Sequence, residues 1–194
     1  MHAGSGESGW SEPRGGVLRR EHTSRRTSVV KNPVRALEGE YGRRIQELEF
    51  FDCNCWLGRM NTRGPVFNST VGQLLNHLEV CGIKKALVTH ALARYSHPAL
   101  GNELLLREIS GKENLLGCFV LLPHATDELG PLDRYIDAMI DSGVYTVKIF
   151  PESQRFSVSE WSLGPLLSIL AERRVPLFVC SREIGWDAVH ATCA

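Results

Sequence analysis

From about residue 48 onward the apolar positions of the chain fall into a regular alternation of two patterns. Short, nearly continuous apolar runs begin near Leu48 (LEFFDCNCW), Lys85 (KALVTH), Leu115 (LLGCFVLLP), Tyr145 (YTVKIF) and Pro176 (PLFVC). Runs of this length with little polar interruption predict strands covered on both faces. Between them, apolar residues recur at helical spacing: Leu74, Leu75, Leu78 and Cys81, then Leu104, Leu105 and Ile109, then Leu132, Tyr135, Ile136, Met139 and Ile140, and finally Leu166, Leu167, Ile169 and Leu170. Thr70 with Gln73 predicts a capping box, and Pro98 and Pro131 open the next two helices. Gly82, Gly111 and Gly143 close the first three helices, and Pro176 follows the fourth.

The strand starts lie 30 to 37 residues apart, the length of a βα unit. Right-handed βα units in series allow a doubly wound sheet or a (β/α)8 TIM barrel. A complete barrel takes about 250 residues, so residues 47–194, with about five βα units, are expected to form the N-terminal part of one, truncated on its C-terminal side. An open arc of five strands exposes two parallel edges, a hazard unless another chain covers it, and a homo-oligomer is therefore an expected partner.

Residues 1–46 differ in kind. Residues 1 to about 32 are rich in Gly, Ser and Arg and are expected to be disordered, while Asn32 and Pro33 cap a short helix with Val34, Leu37, Tyr41 and Ile45 on one face. Residues 1–45 carry nine basic and five acidic side chains, a local charge of 9 − 5 = +4. The whole 194-residue chain has 22 Lys plus Arg against 22 Asp plus Glu, so no global basic field suggests nucleic acid. Hydrophobic residues at 43% and charged residues at 23% are ordinary globular usage. No apolar run approaches the roughly 18–20 residues of a membrane helix, and the N-terminus lacks the apolar core of a secretory signal. The cytosol is the expected location. Six cysteines without a CxxC pair read as reduced thiols. Nucleotide-binding glycine motifs, the nucleophile elbow, HExxH and zinc-finger spacings are all missing.

Reactive groups in parallel α/β folds sit at the carboxyl ends of strands. The first strand ends in Asp52-Cys53-Asn54-Cys55-Trp56-Leu57-Gly58, where alternation places Asp52, Asn54 and Trp56 on one face and Cys53 and Cys55 on the other. Asp52 and Gly58, together with the stretch YTVKIFPESQRFSVSEWSLGPLLSILAERRVPLFVC, resemble the amidohydrolase-related family of metal-dependent TIM-barrel enzymes. The resemblance implies a divalent metal, usually zinc, held by a His-x-His pair after the first strand and a histidine after the fifth. Here those positions are Asn54, Trp56 and Cys180. Carboxamide is a weak ligand, indole is none, and one thiolate does not make a site, so no metal is expected from the residues present.

The resemblance implies metal-assisted hydrolysis of an amide or ester, or non-oxidative decarboxylation of a small carboxylic acid. With the histidines replaced, the expected catalytic residues are Lys148 on the fourth strand, His90 ending the second and Cys180 ending the fifth. Asp52, Asn54, Trp56, His124 and Arg155 are expected to contact a small anionic substrate, and Arg94 and Arg182 lie near the same face. Lys148 suits an anion site or a base of lowered pKa; it also suits a lumen lysine paired to Asp52. The alternative function is a non-catalytic relative that binds a small anion or a protein.

Overall fold

The structure, a computed structural model, describes residues 33–61 and 68–193. The expected disorder of residues 1–32 falls outside them. The elements run α1 (Pro33–Glu47), β1 (Phe50–Leu57), α2 (Val71–Val80), β2 (Ile83–His90), α3 (Ala91–Tyr95), α4 (Pro98–Ile109), β3 (Leu115–Gly117), β4 (Phe119–Val120), α5 (Leu132–Asp141), β5 (Val147–Ile149), α6 (Glu160–Glu172), β6 (Leu177–Val179) and α7 (Trp186–Cys193). A 3-10 turn, His124–Thr126, precedes α5. No helix among the described residues is long and apolar enough to cross a membrane.

Every strand pair is parallel, in the orders β1-β2-β3 and β4-β5-β6. The third predicted run is divided between β3 and β4 at Cys118. The Cys118 N–H donates to the Val88 carbonyl at 2.8 Å, whereas Phe119 and Leu121 donate to Thr146 and Lys148 at 3.1 and 2.9 Å. One run of chain thus leaves β2 and joins β5, so the strands follow one another in chain order. A doubly wound sheet needs a reversal of strand order, and this order contains none. Among the described residues the arc does not close, because β1 and β6 each keep one unpaired side.

Where the run changes partner, Val120 pairs with Lys148 of β5 on one side, while on its other side its N–H and carbonyl meet no strand among the described residues. Asn102 of α4 supplies the missing partners: its Oδ1 accepts the Val120 N–H at 2.9 Å, and its Nδ2 donates to the Val120 carbonyl at 2.8 Å and the Tyr135 hydroxyl at 3.0 Å. This buried amide does the work of a neighbouring strand. Close passage of α4 over α3 is the other requirement here. A Cβ on Gly101 would lie 2.2 Å from the Ala93 nitrogen, so only glycine fits.

The main core lies between the strands and helices. It includes Leu57 and Cys55 of β1, Ala86 and Val88 of β2, Val147 and Ile149 of β5, and Leu74, Leu105, Ile136 and Leu166 of the helices. A smaller cluster of Ala93, Val120 and Phe150, with Trp56 against it, lies on the other side of the strands. The predicted caps form: Thr70 Oγ1 accepts the Gln73 N–H at 3.3 Å, and Gln73 Oε1 accepts from Ser69 rather than from Thr70 itself. Gly82, Gly111 and Gly143 all have positive φ at the ends of their helices. The expected short helix is the 15-residue α1, but Val34, Leu37 and Tyr41 on it are more than half exposed. Ile45 of this helix comes close to Gly82.

Candidate functional site

Alternation along the strands decides which side chains leave the main core for the concave side. On β1 the phase that buries Cys55 and Leu57 beneath the helices turns Asn54 and Trp56 inward. Trp56 pairs in register with Thr89 of β2, and Lys148 pairs with Phe178 of β6. Asn54, Trp56, Lys148, Phe150, Phe178 and Cys180, with Arg94 and Ser181 above, line a cavity of about 410 Å³.

Lys148 sits at its floor, only 5% exposed. Its Nζ donates to Asn54 Oδ1 at 2.9 Å and to Thr89 Oγ1 at 3.0 Å, and lies 5.2 Å from the centre of the Trp56 ring. All three partners are neutral, and no carboxylate among the described residues lies within ion-pair distance. Burial pushes the ammonium below its ordinary pKa; the thiols Cys118, Cys53 and Cys55 oppose this, and Asp52 is the weakest of the charges acting on it.

The pairing of Lys148 with Asp52 therefore does not occur. Between Asp52 and Cys55 the register of β1 against β2 shifts, and this bulge upsets simple alternation. Cys53 joins the cavity lining, against the expectation that it lies on the face opposite Asn54 and Trp56. The Asp52 carboxylate folds back to accept the Asn54 N–H at 2.8 Å, and it lies outside the lining. Burial, reinforced by the hydrogen bond and charge of Asp52, pushes the Cys55 thiol up to about 12. Burial also raises the Cys118 thiol, against the opposing charge of Lys148. Both thiols are protonated and inert at neutral pH.

His90 is a second correction. It lies one position beyond Thr89 and so on the helix side of β2, where its Nδ1 accepts the Leu92 N–H at 3.2 Å and caps α3. Its Nε2 lies 3.7 Å from Glu108, and the ring packs against Gly58, where an added Cβ would sit 2.9 Å from Nε2. Burial lowers its pKa, against the pull of Glu108. His90 is a neutral capping residue outside the cavity. His124 and Arg155 are also outside it, exposed on the 3-10 turn and on the turn after β5. Cys180, Asn54 and Trp56 do lie where expected, around Lys148.

Arg94, a candidate to clamp a carboxylate, is instead held above the cavity by Glu183, a residue that no local sequence signal singles out. Glu183, nearly fully buried, accepts from Arg94 Nη2 at 2.7 Å, from the Ser153 hydroxyl at 2.5 Å and from the Ser153 N–H at 2.8 Å. Burial pushes its carboxyl up, but the two Ser153 bonds and Arg94 outweigh this and hold it below the usual range. The Arg94 guanidinium stacks 4.6 Å from the Phe150 ring centre and 5.7 Å from that of Trp56. One ion pair thus ties α3, the turn after β5 and the segment after β6 together over the Lys148 cavity.

The donors at this site do not fit the metal that the family resemblance implies. Asn54 and Trp56 occupy the positions of the paired imidazoles, and among the described residues no group of three His, Cys, Asp or Glu side chains is placed to hold a metal ion.

No family model and no curated protein sequence matches the chain. Among solved structures it is similar to an uncharacterized TIM-barrel protein, Bb4693 from Bordetella bronchiseptica, at 11% identity and a TM-score of 0.47. The match covers 68% of this chain and 55% of that one, so the chain spans about half the length of that protein.

Proposed function

We propose that the chain forms part of a TIM barrel of the amidohydrolase-related kind and that its Lys148 cavity binds a small carboxylic acid, with non-oxidative decarboxylation as the reaction. One observation carries the reading: a lysine ammonium, 5% exposed, points into a cavity of about 410 Å³ and has only neutral partners. A buried charge without a counterion is costly, and an incoming carboxylate relieves that cost. Strand order without reversal supports the barrel, and the place of the cavity at the carboxyl ends of β1, β5 and β6 is where barrel enzymes hold substrates. Decarboxylation fits better than hydrolysis, because family hydrolysis relies on metal-activated water and these donors do not fit a metal.

Calorimetric titration with a panel of small mono- and dicarboxylates tests this. Binding that weakens with salt and is lost in Lys148→Met is expected; binding undiminished in that variant overturns the proposal. A second reading is binding without turnover. It is favoured by a lining that contains neither imidazole nor carboxylate, the usual general acid–base groups. Release of carbon dioxide from a bound acid separates the two.

A further inference from the structure

The floor of the Lys148 cavity offers more than a positive charge. A primary amine lies there out of bulk water, and its partners Asn54 Oδ1 and Thr89 Oγ1 both accept hydrogen bonds without carrying charge. The Thr89 hydroxyl is fully buried and can also donate, so it can hydrogen-bond the free amine as well as the ammonium. Trp56, Phe150 and Phe178 give the cavity apolar walls, which hold a neutral amine better than a charged one. Such an amine is a nitrogen nucleophile toward a carbonyl carbon.

We propose that the Lys148 Nζ forms an imine with the oxo group of a small oxo acid bound in this cavity. The inference rests on the carboxylate-binding reading above and deepens it by naming the substrate class. The amine attacks the carbonyl carbon, the C–N bond forms, and the carbonyl oxygen leaves as water carrying two protons. No oxidant or reductant is consumed. With a 3-oxo acid, breaking the bond to the carboxylate releases carbon dioxide and leaves the electron pair on the protonated imine as an enamine. A proton from solvent and one water then return the ketone and the free amine. The bound iminium thereby takes the place of the electrophile that a metal supplies elsewhere.

The titratable and charged groups around the amine are Asp52, Cys53 and Cys55 from β1, Cys118 between β3 and β4, Arg94 from α3 and Cys180 after β6. Reductive trapping reads the imine directly. The 194-residue protein is incubated with pyruvate or acetoacetate and sodium cyanoborohydride at pH 7, and the modified peptides are mapped by mass spectrometry. With pyruvate an adduct of one oxo acid less one oxygen atom, and with acetoacetate that adduct or the isopropyl group left after loss of carbon dioxide, is expected on Lys148, at least tenfold above the exposed Lys85 and Lys112, and absent from Lys148→Arg folded by circular dichroism. Labelling of Lys148 no greater than that of the exposed lysines, with carboxylate binding intact by calorimetry, overturns the imine and leaves the binding site standing. Loss of both trapping and carboxylate binding in the unmodified protein overturns both.

Discussion

Lys148 and Glu183 are the two buried charges whose environments differ most, and they give opposite expectations. Lys148 has no carboxylate within ion-pair distance among the described residues, and its folded pKa lies below the unfolded value of about 10.4. The folded state is therefore penalised while both states are protonated, and stability recovers as pH rises from the folded pKa to the unfolded one. Lys148→Met is expected to raise stability at pH 7 by about 1 kcal/mol while removing ligand binding, and urea unfolding beside calorimetry checks both. Glu183 has the reverse sign. Its depressed carboxyl pKa contributes stability that is complete above the unfolded value of about 4.3 and is lost as pH falls through the folded value. Glu183→Gln is expected to cost about 2 kcal/mol at pH 7 and to flatten the loss of stability between pH 5 and 3, seen in unfolding midpoints across that range. Neither contact with Asn54 nor the clamp is written locally. Lys148 and Asn54 are 94 positions apart and Arg94 and Glu183 are 89 apart, so only the folded chain joins them. The side on which His90 falls is hidden from the sequence for a related reason. A strand apolar on both faces carries no alternation to say which side is the lumen, and one residue of phase separates Thr89 from His90.

At the scale of elements, β2 and helices α2, α4, α5 and α6 were legible because their signals are local: an apolar run, a proline at the start, a glycine or proline after the end. What escaped was the set of places where one element answers another. The five-residue α3 has no period of its own and exists because His90 caps it and α4 packs on it. The bulge at Cys53 and the division of the third strand at Cys118 are likewise fixed by neighbours, since each adjusts pairing against β2. Asn102 shows how much depends on one such answer. Asn102→Leu keeps the volume but leaves the Val120 N–H and carbonyl and the Tyr135 hydroxyl without their partner, at a cost of about 3 kcal/mol in denaturant unfolding. Gly101→Ala is expected to cost about as much, because the added methyl meets the backbone of Ala93 rather than a movable side chain.

The described residues as a whole form an unclosed arc. Beyond β6 lies an apolar cavity of about 500 Å³ between Ile149, Leu163, Leu170, Leu177 and Val189, and Val179 and Trp186 beside it are exposed. The far side of β1 likewise leaves Phe50 and Phe51 exposed. An unpaired strand next to uncovered apolar surface is a template for further pairing, and natural sheets usually blunt such edges with charge, a bulge or a covering element. β1 carries its bulge; the three residues of β6, Leu177, Phe178 and Val179, carry no charge. Association of the 194-residue chain is therefore expected through the β6 side first. Sedimentation velocity across a hundredfold range of concentration should show species larger than the monomer, and Val179→Lys should shift the distribution back toward it. The Phe51→Lys variant serves as the comparison, because the bulged edge is expected to contribute less. Equal relief from both variants would place the association on both edges alike, and no change from Val179→Lys would remove β6 as its origin. The edge also bears on the site, since Phe178 and Cys180 line the Lys148 cavity from this same strand and its end, and whatever pairs with β6 sets how open that cavity is to solvent.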